Sequence, residues 1–239
     1  MSEPIERQRA ARPDEPVRAL TRTTLGMRLM AAAFRFVFRA FARVKVHGTD
    51  DLPQDGPLIV VANHTTNADP PLVAAWLQPA LGRPLQFLAK EQLFTPLTRP
   101  ILRMFGAIVV RAGGSDMEAY RDALTVLKGG GVVTIFPEGT RSIDGVMREA
   151  HAGVALIAAR SGAPILPVGI SGGQRFLPRG RSLPVFGARL AIRVGRPFTI
   201  TLDPSLGRRE ATTTAADVVM RHIAALVAPD QRGRFDPGE

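Results

Sequence analysis

From residue 57 onward, short apolar runs alternate with segments of helical spacing, and this alternation restricts the chain to the α/β class. The runs are Pro57–Ala62, Leu85–Ala89, Ala107–Arg111, Val132–Phe136 and Pro164–Ile170, each short enough for a buried strand. Between them the spacing predicts a helix over Pro70–Leu77, with proline in its first positions, and another over Glu91–Phe105, interrupted by Pro96 and Pro100. A third spans Ser115–Lys128, where Ser115 and Glu118 form a capping-box pattern and Gly129–Gly131 stop the helix. Gly153–Ser161 and Ala211–Val227 complete the set; residues 172–186 read as a loop rich in Gly, Pro and Arg, and Arg189–Val194 as a half-exposed strand. Strands separated by helices pair in parallel, so the expected fold is a mainly parallel central sheet flanked by helices. It forms one domain over residues 47–228, with a polar tail over 229–239 and no internal repeat.

The N-terminal part has a different pattern. Residues 1–22 carry Pro4, Pro13 and Pro16 among many charges and read as a disordered leader. Glu3, Glu6, Asp14 and Glu15, with no early apolar run, argue against a signal peptide. Over 23–46, Leu25, Leu29, Ala33, Phe36, Val37, Phe41 and Val44 recur at helical spacing, and Thr23 or Thr24 is placed to cap the helix. Arg28, Arg35, Arg39 and Arg43 form a second stripe that rules out a spanning segment. Two readings remain: a basic amphipathic helix lying in an anionic membrane interface, or a helix packed on the domain with a solvated arginine face. Phe34 and Phe38 widen the apolar surface beyond one stripe and favour the membrane.

Composition narrows the chemistry. The formal charge is +10, carried almost entirely by arginine, with Lys45, Lys90 and Lys128 as the lysines. An anionic partner follows. Nucleic acid is disfavoured, because aromatics are only 6% of the chain and the charge is scattered. The absence of cysteine excludes disulfides, thiolate metal sites and thiol nucleophiles. No P-loop, HExxH or EF-hand pattern occurs, so no metal or other cofactor is expected.

Two segments carry candidate catalytic groups. The first apolar run leads into Asn63-His64-Thr65-Thr66-Asn67-Ala68-Asp69-Pro70, at a strand end, where α/β sites gather. Five residues on one helix separate side chains by about 140°. His64 and Asp69 therefore meet only if His64 lies on the loop and Asp69 opens the next helix. A carboxylate there fixes the imidazole tautomer and leaves the other nitrogen as a general base. The alternative is a helix-capping Asp69 beside a plain loop histidine, and one carboxylate can serve both purposes. The second segment is Phe136-Pro137-Glu138-Gly139-Thr140-Arg141-Ser142. Gly139 allows a ligand close to the backbone, Arg141 offers a fork for phosphate, and Glu138 could hold that fork or meet an acceptor hydroxyl. A turn closed by a Glu138–Arg141 surface pair is the competing reading.

Taken together, His64-x4-Asp69 and FPEGTRS resemble the glycerolphosphate acyltransferase superfamily, and within it the PlsC-type 1-acylglycerol-3-phosphate acyltransferases. Phe87–Lys90 before Glu91, Gly106–Arg111 and Pro164–Val168 fall in the family order, so the likeness covers about residues 45–200. The resemblance implies acyl transfer from acyl-CoA or acyl carrier protein to the free hydroxyl of a lysophospholipid, most directly 1-acylglycerol-3-phosphate, giving phosphatidic acid. It implies His64 as general base, Asp69 as its orienting carboxylate, and Lys90, Arg111, Glu138, Gly139, Thr140 and Arg141 as acceptor-binding and site-shaping residues. It further implies a peripheral or monotopic protein on the cytoplasmic face of the cell membrane. Two positions depart from the pattern. The family's second-block arginine falls where this chain has Ala112, one place after Arg111, and a lysine after FPEGTRS is replaced by His151. Both bear on the acceptor's head group and leave another lysolipid or a glycolipid open.

Two rivals stand beside this reading. Gly169-Ile170-Ser171-Gly172-Gly173 fits the nucleophile elbow of serine hydrolases, with Asp203 or Asp217 and His222 following in the right order. The Pro- and Gly-rich stretch after Ser171 is poorly suited to the helix such an elbow opens. A non-catalytic membrane-associated protein on the same fold is the other.

Overall fold

The computed structural model describes residues 17–111, 117–181 and 183–236. Among these, the strands are β1 (Ala42–His47), β2 (Leu58–Ala62), β3 (Leu85–Lys90), β4 (Ile108–Val110), β5 (Val132–Ile135), β6 (Ile165–Ser171) and β7 (Ala188–Val194). They form one sheet in the order β1-β7-β6-β2-β5-β3-β4. The five strands from β6 to β4 run parallel, whereas β7 pairs antiparallel with β6 and β1 runs parallel to β7. The helices are α1 (Leu25–Phe41), α2 (Asp69–Leu81), α3 (Arg99–Met104), α4 (Met117–Lys128), α5 (Gly153–Ser161), α6 (Gly173–Phe176) and α7 (Arg208–Ala224).

Side-chain alternation along the central strands divides the core into two layers. Ile59, Val61, Val133, Ile135 and Ile165 point to one face, under α4, α5 and α7. Leu58, Val60, Ala62, Leu166, Val168 and Ile170 point to the other, where α2 and Phe38 of α1 cover them. Both faces are covered, so these strands are apolar at nearly every position. Parallel pairing brings the C-terminal ends of β2, β3, β4, β5 and β6 to one edge of the sheet. That edge is where His64, Lys90, Arg111, Phe136–Ser142 and Ser171 emerge.

The mainly parallel, helix-flanked sheet agrees with the sequence reading; several boundaries do not. The N-terminal helix expected over 23–46 stops at Phe41, and Ala42–His47 forms an edge strand of the sheet. Arg43, Lys45 and His47 alternate outward from Val44 and Val46, a period-2 pattern that the preceding helical spacing concealed. The domain therefore begins before residue 47. Of the leader, residues 1–16 lie outside the described residues. Residues 17–22, however, pack on the body: Val17 lies against the core, and Gln86 both accepts from the Leu20 N–H at 2.7 Å and donates to the Arg18 carbonyl at 3.0 Å. The tail is likewise attached, with Phe235 and Gln231 buried in short 3-10 turns. The helix expected over Glu91–Phe105 is reduced to a 3-10 turn at Glu91–Leu93 and α3, as its two prolines demand. Ser115 and Ala112 lie outside the described residues.

In helix α1, Phe34 and Phe38, the residues that favour the membrane reading from sequence, pack inward on the domain instead. Thr24 caps it, accepting the Met27 N–H. Met27, Ala31 and Phe38 are buried, and Phe38 sits 5.9 Å from Trp76 and 5.1 Å from Phe176 between ring centroids. Leu25, Leu29 and Phe36 lie on the opposite side of the helix and are 72%, 62% and 75% exposed. One face packs on the domain while the other offers an apolar stripe to the exterior. Arg35 is not part of a free basic stripe. Its Nε and Nη2 donate to the Ala75 carbonyl at 3.2 and 2.8 Å, beside Trp76. That carbonyl lacks its helical donor because the residue four places on is Pro79, which has no N–H.

Candidate active site

The loop after β2 carries His64 out of the sheet, and Asp69 begins α2. The two meet as the spacing requires: His64 Nδ1 lies 3.0 Å from Asp69 Oδ2. An ionised carboxylate only accepts, so Nδ1 carries the proton and Nε2 is left as the basic nitrogen. Asp69 is 1% exposed and His64 17%, so the carboxylate is shielded and the imidazole edge is reachable. The same carboxylate organises the loop. Its Oδ2 also accepts the N–H groups of Thr65 at 2.6 Å and Thr66 at 2.7 Å, and Oδ1 accepts the Thr66 hydroxyl at 3.1 Å. Asp69 is thus both the histidine's partner and the anchor of the loop, while the N-cap position of α2 is Ala68, which makes no side-chain cap bond.

The second loop fixes the first. Glu138 is 3% exposed and does not pair with Arg141. Its Oε1 accepts the His64 N–H at 2.9 Å and its Oε2 accepts the Arg148 N–H at 3.1 Å. Burial pushes its carboxyl up to about 6, against the lowering effect of those two donors. The Ser142 N–H donates to the His64 carbonyl at 2.8 Å. Both backbone groups of His64 are therefore held by the FPEGTRS loop, and Phe136 stacks on its ring with centroids 4.3 Å apart. The N–H groups of His64, Thr65, Thr66 and Ser142 are all committed to protein acceptors, so none of them is available to a developing oxyanion. Asn63, fully buried, bridges to β6: it donates to the Ile170 carbonyl at 2.9 Å and accepts the Ile170 N–H at 2.7 Å. It continues the β2–β6 ladder with a side chain where the backbone leaves the sheet.

The remaining predicted site residues separate into two groups. Thr140 and Arg141 are exposed and line a cleft of about 320 Å3 with Thr65, Thr66, Arg179 and Arg181. Gly139 has φ +62° and lies under the His151 ring, where a Cβ would come within 2.4 Å of it. Lys90 and Arg111 lie elsewhere. Lys90 ends β3, two strands from β2, and Arg111 follows β4, three strands away, about 14 Å at ordinary strand spacing. Arg111 is engaged by Glu91 at 3.8 Å and by Glu118. Neither cation is among the residues that line the cleft, and the sheet order sets β3 and β4 on the far side of β5 from β2. Arg179 and Arg181 escaped the sequence reading, since only the folded loop sets them opposite Arg141.

The hydrolase constellation does not assemble. Ser171 Oγ accepts the Ala228 N–H at 3.1 Å, and His222 is stacked on Phe198 with centroids 3.7 Å apart. The helix after Ser171 is four residues long. Among the described residues, no group of three His, Asp or Glu side chains is arranged to hold a metal, and no helix is long and apolar enough to cross a membrane.

Comparison with known proteins adds independent findings. A family profile described as Acyltransferase matches residues 43–171. A chloroplastic 1-acyl-sn-glycerol-3-phosphate acyltransferase of Arabidopsis thaliana is 28% identical over 144 residues, covering 59% of this chain and 39% of that protein. The 1-acyl-sn-glycerol-3-phosphate acyltransferase of Borreliella burgdorferi is 32% identical over 129 residues, 53% of this chain and 50% of that one. The chain spans about half or less of the length of these two curated relatives. The crystal structure of PlsC from Thermotoga maritima, an LPA acyltransferase, superposes with a TM-score of 0.67 at 29% identity, over 84% of this chain and 79% of that one.

Proposed function

Because the chain belongs to the Acyltransferase family, we propose that it transfers a fatty acyl group from a thioester, acyl-CoA or acyl carrier protein, to the free hydroxyl of a lysophospholipid. The observation that carries the reading is the His64–Asp69 pair, 3.0 Å apart at the strand-end edge of a parallel sheet. The relatives named as 1-acyl-sn-glycerol-3-phosphate acyltransferases make that phosphate ester the first acceptor to test.

In the proposed reaction His64 Nε2 takes the proton of the acceptor hydroxyl as its oxygen attacks the thioester carbonyl. The C–O bond forms, the tetrahedral intermediate collapses, and the C–S bond breaks. The departing thiolate recovers the proton from the imidazolium, so the products are the ester and the free thiol. Asp69 stabilises the imidazolium and holds its tautomer. Glu138 and Ser142 fix the backbone on which that ring is mounted. No enzyme nucleophile is required, which suits a chain without cysteine.

Both substrates are amphiphiles, and the exposed stripe of Leu25, Leu29 and Phe36 supports docking on a membrane surface. The test is thiol release from long-chain acyl-CoA with and without lysophosphatidate, for wild type and His64→Ala. Release that needs both the acceptor and His64 is the expected result. Release without acceptor points to hydrolysis instead, and release that survives His64→Ala removes the base assignment.

A further inference from the structure

The loop between β6 and β7 begins beneath the His–Asp pair. Gly173 packs so closely there that a Cβ would lie 2.5 Å from Thr65 Oγ1 and 3.1 Å from Asp69 Oδ1. Phe176 is buried against Phe38, and the Val185 N–H donates to the Phe176 carbonyl at 2.7 Å, closing the loop on itself. At its tip the Arg181 N–H donates to the Pro178 carbonyl at 3.1 Å, with Gly180 at φ +81°. This is a type II turn, in which glycine occupies the left-handed position. Arg179 and Arg181 flank that glycine, and both line the cleft opposite Arg141. Among the described residues, no acidic residue lines it. The wall facing the turn is Thr65-Thr66 and Thr140-Arg141-Ser142, the segments that hold His64 by its neighbours and by its carbonyl.

We infer that Arg179 and Arg181, with Arg141, form the site for the phosphomonoester of the acceptor. The inference rests on the proposed acyl transfer and adds two specificity-determining residues to it. Three arginines lining one cleft with no acidic residue among its described lining match a phosphate dianion, which takes several charge-assisted hydrogen bonds at once. The choice of acceptor over donor follows from connectivity. In a glycerol phosphate ester the reacting hydroxyl and the phosphate are separated by a few bonds, so a hydroxyl at His64 keeps its phosphate close by. The thioester of coenzyme A is separated from its phosphates by the whole pantetheine arm. Of the other cations at this sheet edge, Arg111 is engaged by Glu91 and Glu118, and Lys90 is not among the residues that line the cleft.

The test uses the full chain in detergent micelles and compares 1-oleoylglycerol-3-phosphate with uncharged 1-oleoylglycerol, by calorimetric binding and by transfer kinetics with oleoyl-CoA. Wild type is expected to bind the phosphate ester at least tenfold more tightly than the uncharged lipid. In Arg179→Gln/Arg181→Gln that preference falls to near unity, with affinity for 1-oleoylglycerol and apparent KM for oleoyl-CoA unchanged. Arg179→Lys/Arg181→Lys recovers part of it. Any of three results overturns the inference: no preference in wild type, a preference that persists in the glutamine variant, or a loss confined to the KM of oleoyl-CoA. The underlying reaction fails separately. If wild type binds the phosphate ester selectively, loses that selectivity in the variant, and yet transfers no acyl group, the head-group site stands and the acyl transfer does not.

Discussion

Replacing Asp69 by Asn separates its two roles. At 3.0 Å from His64 Nδ1, a full carboxylate–imidazolium attraction amounts to about 5 kcal/mol at an effective dielectric of about 20. The imidazole is neutral before reaction and only partly charged in the transition state, so the differential benefit is about 3–5 kcal/mol. That corresponds to a loss of roughly a hundredfold to several-thousandfold in kcat. The fold should tolerate the change. An amide oxygen in place of Oδ2 still accepts the Thr65 and Thr66 N–H groups, and the amide nitrogen faces the Thr66 hydroxyl, which can turn to accept. Asp69→Asn is therefore expected to lose only about 1 kcal/mol in urea unfolding. Asp69→Ala strands two buried N–H donors and is expected to lose about 2–5 kcal/mol. The measurement pairs the kcat of thiol release with the unfolding midpoint for both variants. An Asn variant that keeps more than a tenth of wild-type kcat reduces Asp69 to an organiser of the loop. One that unfolds as readily as the Ala variant shows that the activity loss reports folding and not chemistry.

Three other perturbations probe different links. The Glu138 carboxyl is raised from 4.5 to about 6 by burial, so between those values the folded state holds the proton more tightly than the unfolded one. Its contribution is full below pH 4.5 and is lost as pH rises through 6, by about 2 kcal/mol. Urea midpoints at pH 4.5, 5.5 and 7 should show that decline flattened in Glu138→Gln, and parallel curves for the two proteins would refute it. Arg35→Ala should destabilise by about 1–2 kcal/mol by orphaning the Ala75 carbonyl, and by clearly less in a Pro79→Ala background, where residue 79 regains an N–H. Equal effects in both backgrounds would separate the arginine from the proline. Changing Leu25, Leu29 and Phe36 together to Ser should cut co-sedimentation with anionic vesicles at least fivefold and leave thermal unfolding unchanged, since all three side chains are exposed. Undiminished pelleting would shift membrane contact to another surface. Deleting residues 1–46 is a poor substitute, because it removes most of β1.

The central sheet was legible because its strands are buried on both faces and therefore read as unbroken apolar runs between helical segments. The His64–Asp69 pair was legible because the helical period forbids any geometry except loop histidine and helix-opening aspartate. Less legible is whatever depends on which strands are neighbours. Lys90 and Arg111 stand at the correct ends of correctly read strands, yet the order β2-β5-β3-β4 carries them away from His64. From sequence, Glu138 can hold Arg141, three residues on, or meet an acceptor hydroxyl; only the fold shows that its buried carboxylate turns to the His64 and Arg148 backbones. From sequence, Ala42–Val46 reads as a continuation of the helix because Phe41 and Val44 keep the helical spacing and no Gly or Pro marks the break. Its partner β7 lies about 146 residues further on, and only that pairing identifies it as strand.

The loop between β6 and β7 joins features that the chain order keeps apart. At one end Gly173 packs on Asp69 Oδ1; in the middle the Pro178–Arg181 turn faces Arg141; at the other end the Gly187 N–H donates to the Phe41 carbonyl at 2.7 Å and Phe186 lies 6.5 Å from Phe41 between ring centroids. Phe186 is exposed at the end of α1 whose outer stripe is apolar, and Leu183 of the same loop is exposed too. On the proposed reading, one short segment connects the surface that meets lipid tails, the arginines that meet a phosphate, and the carboxylate that orients the base. A lysophospholipid carries the corresponding parts on one glycerol: an acyl tail on one terminal carbon, the phosphate on the other, and the free hydroxyl between them. The match predicts that the polar and apolar ends of this loop act on the same substrate. Substitutions at Phe186 and at Arg179/Arg181 should then raise the apparent KM of a long-chain lysophosphatidate multiplicatively, whereas a short-chain analogue should respond to the arginines alone. If the short-chain analogue responds equally to Phe186→Ser, the aromatic end acts by holding the loop's shape and not by contacting the acyl tail or the membrane that carries it.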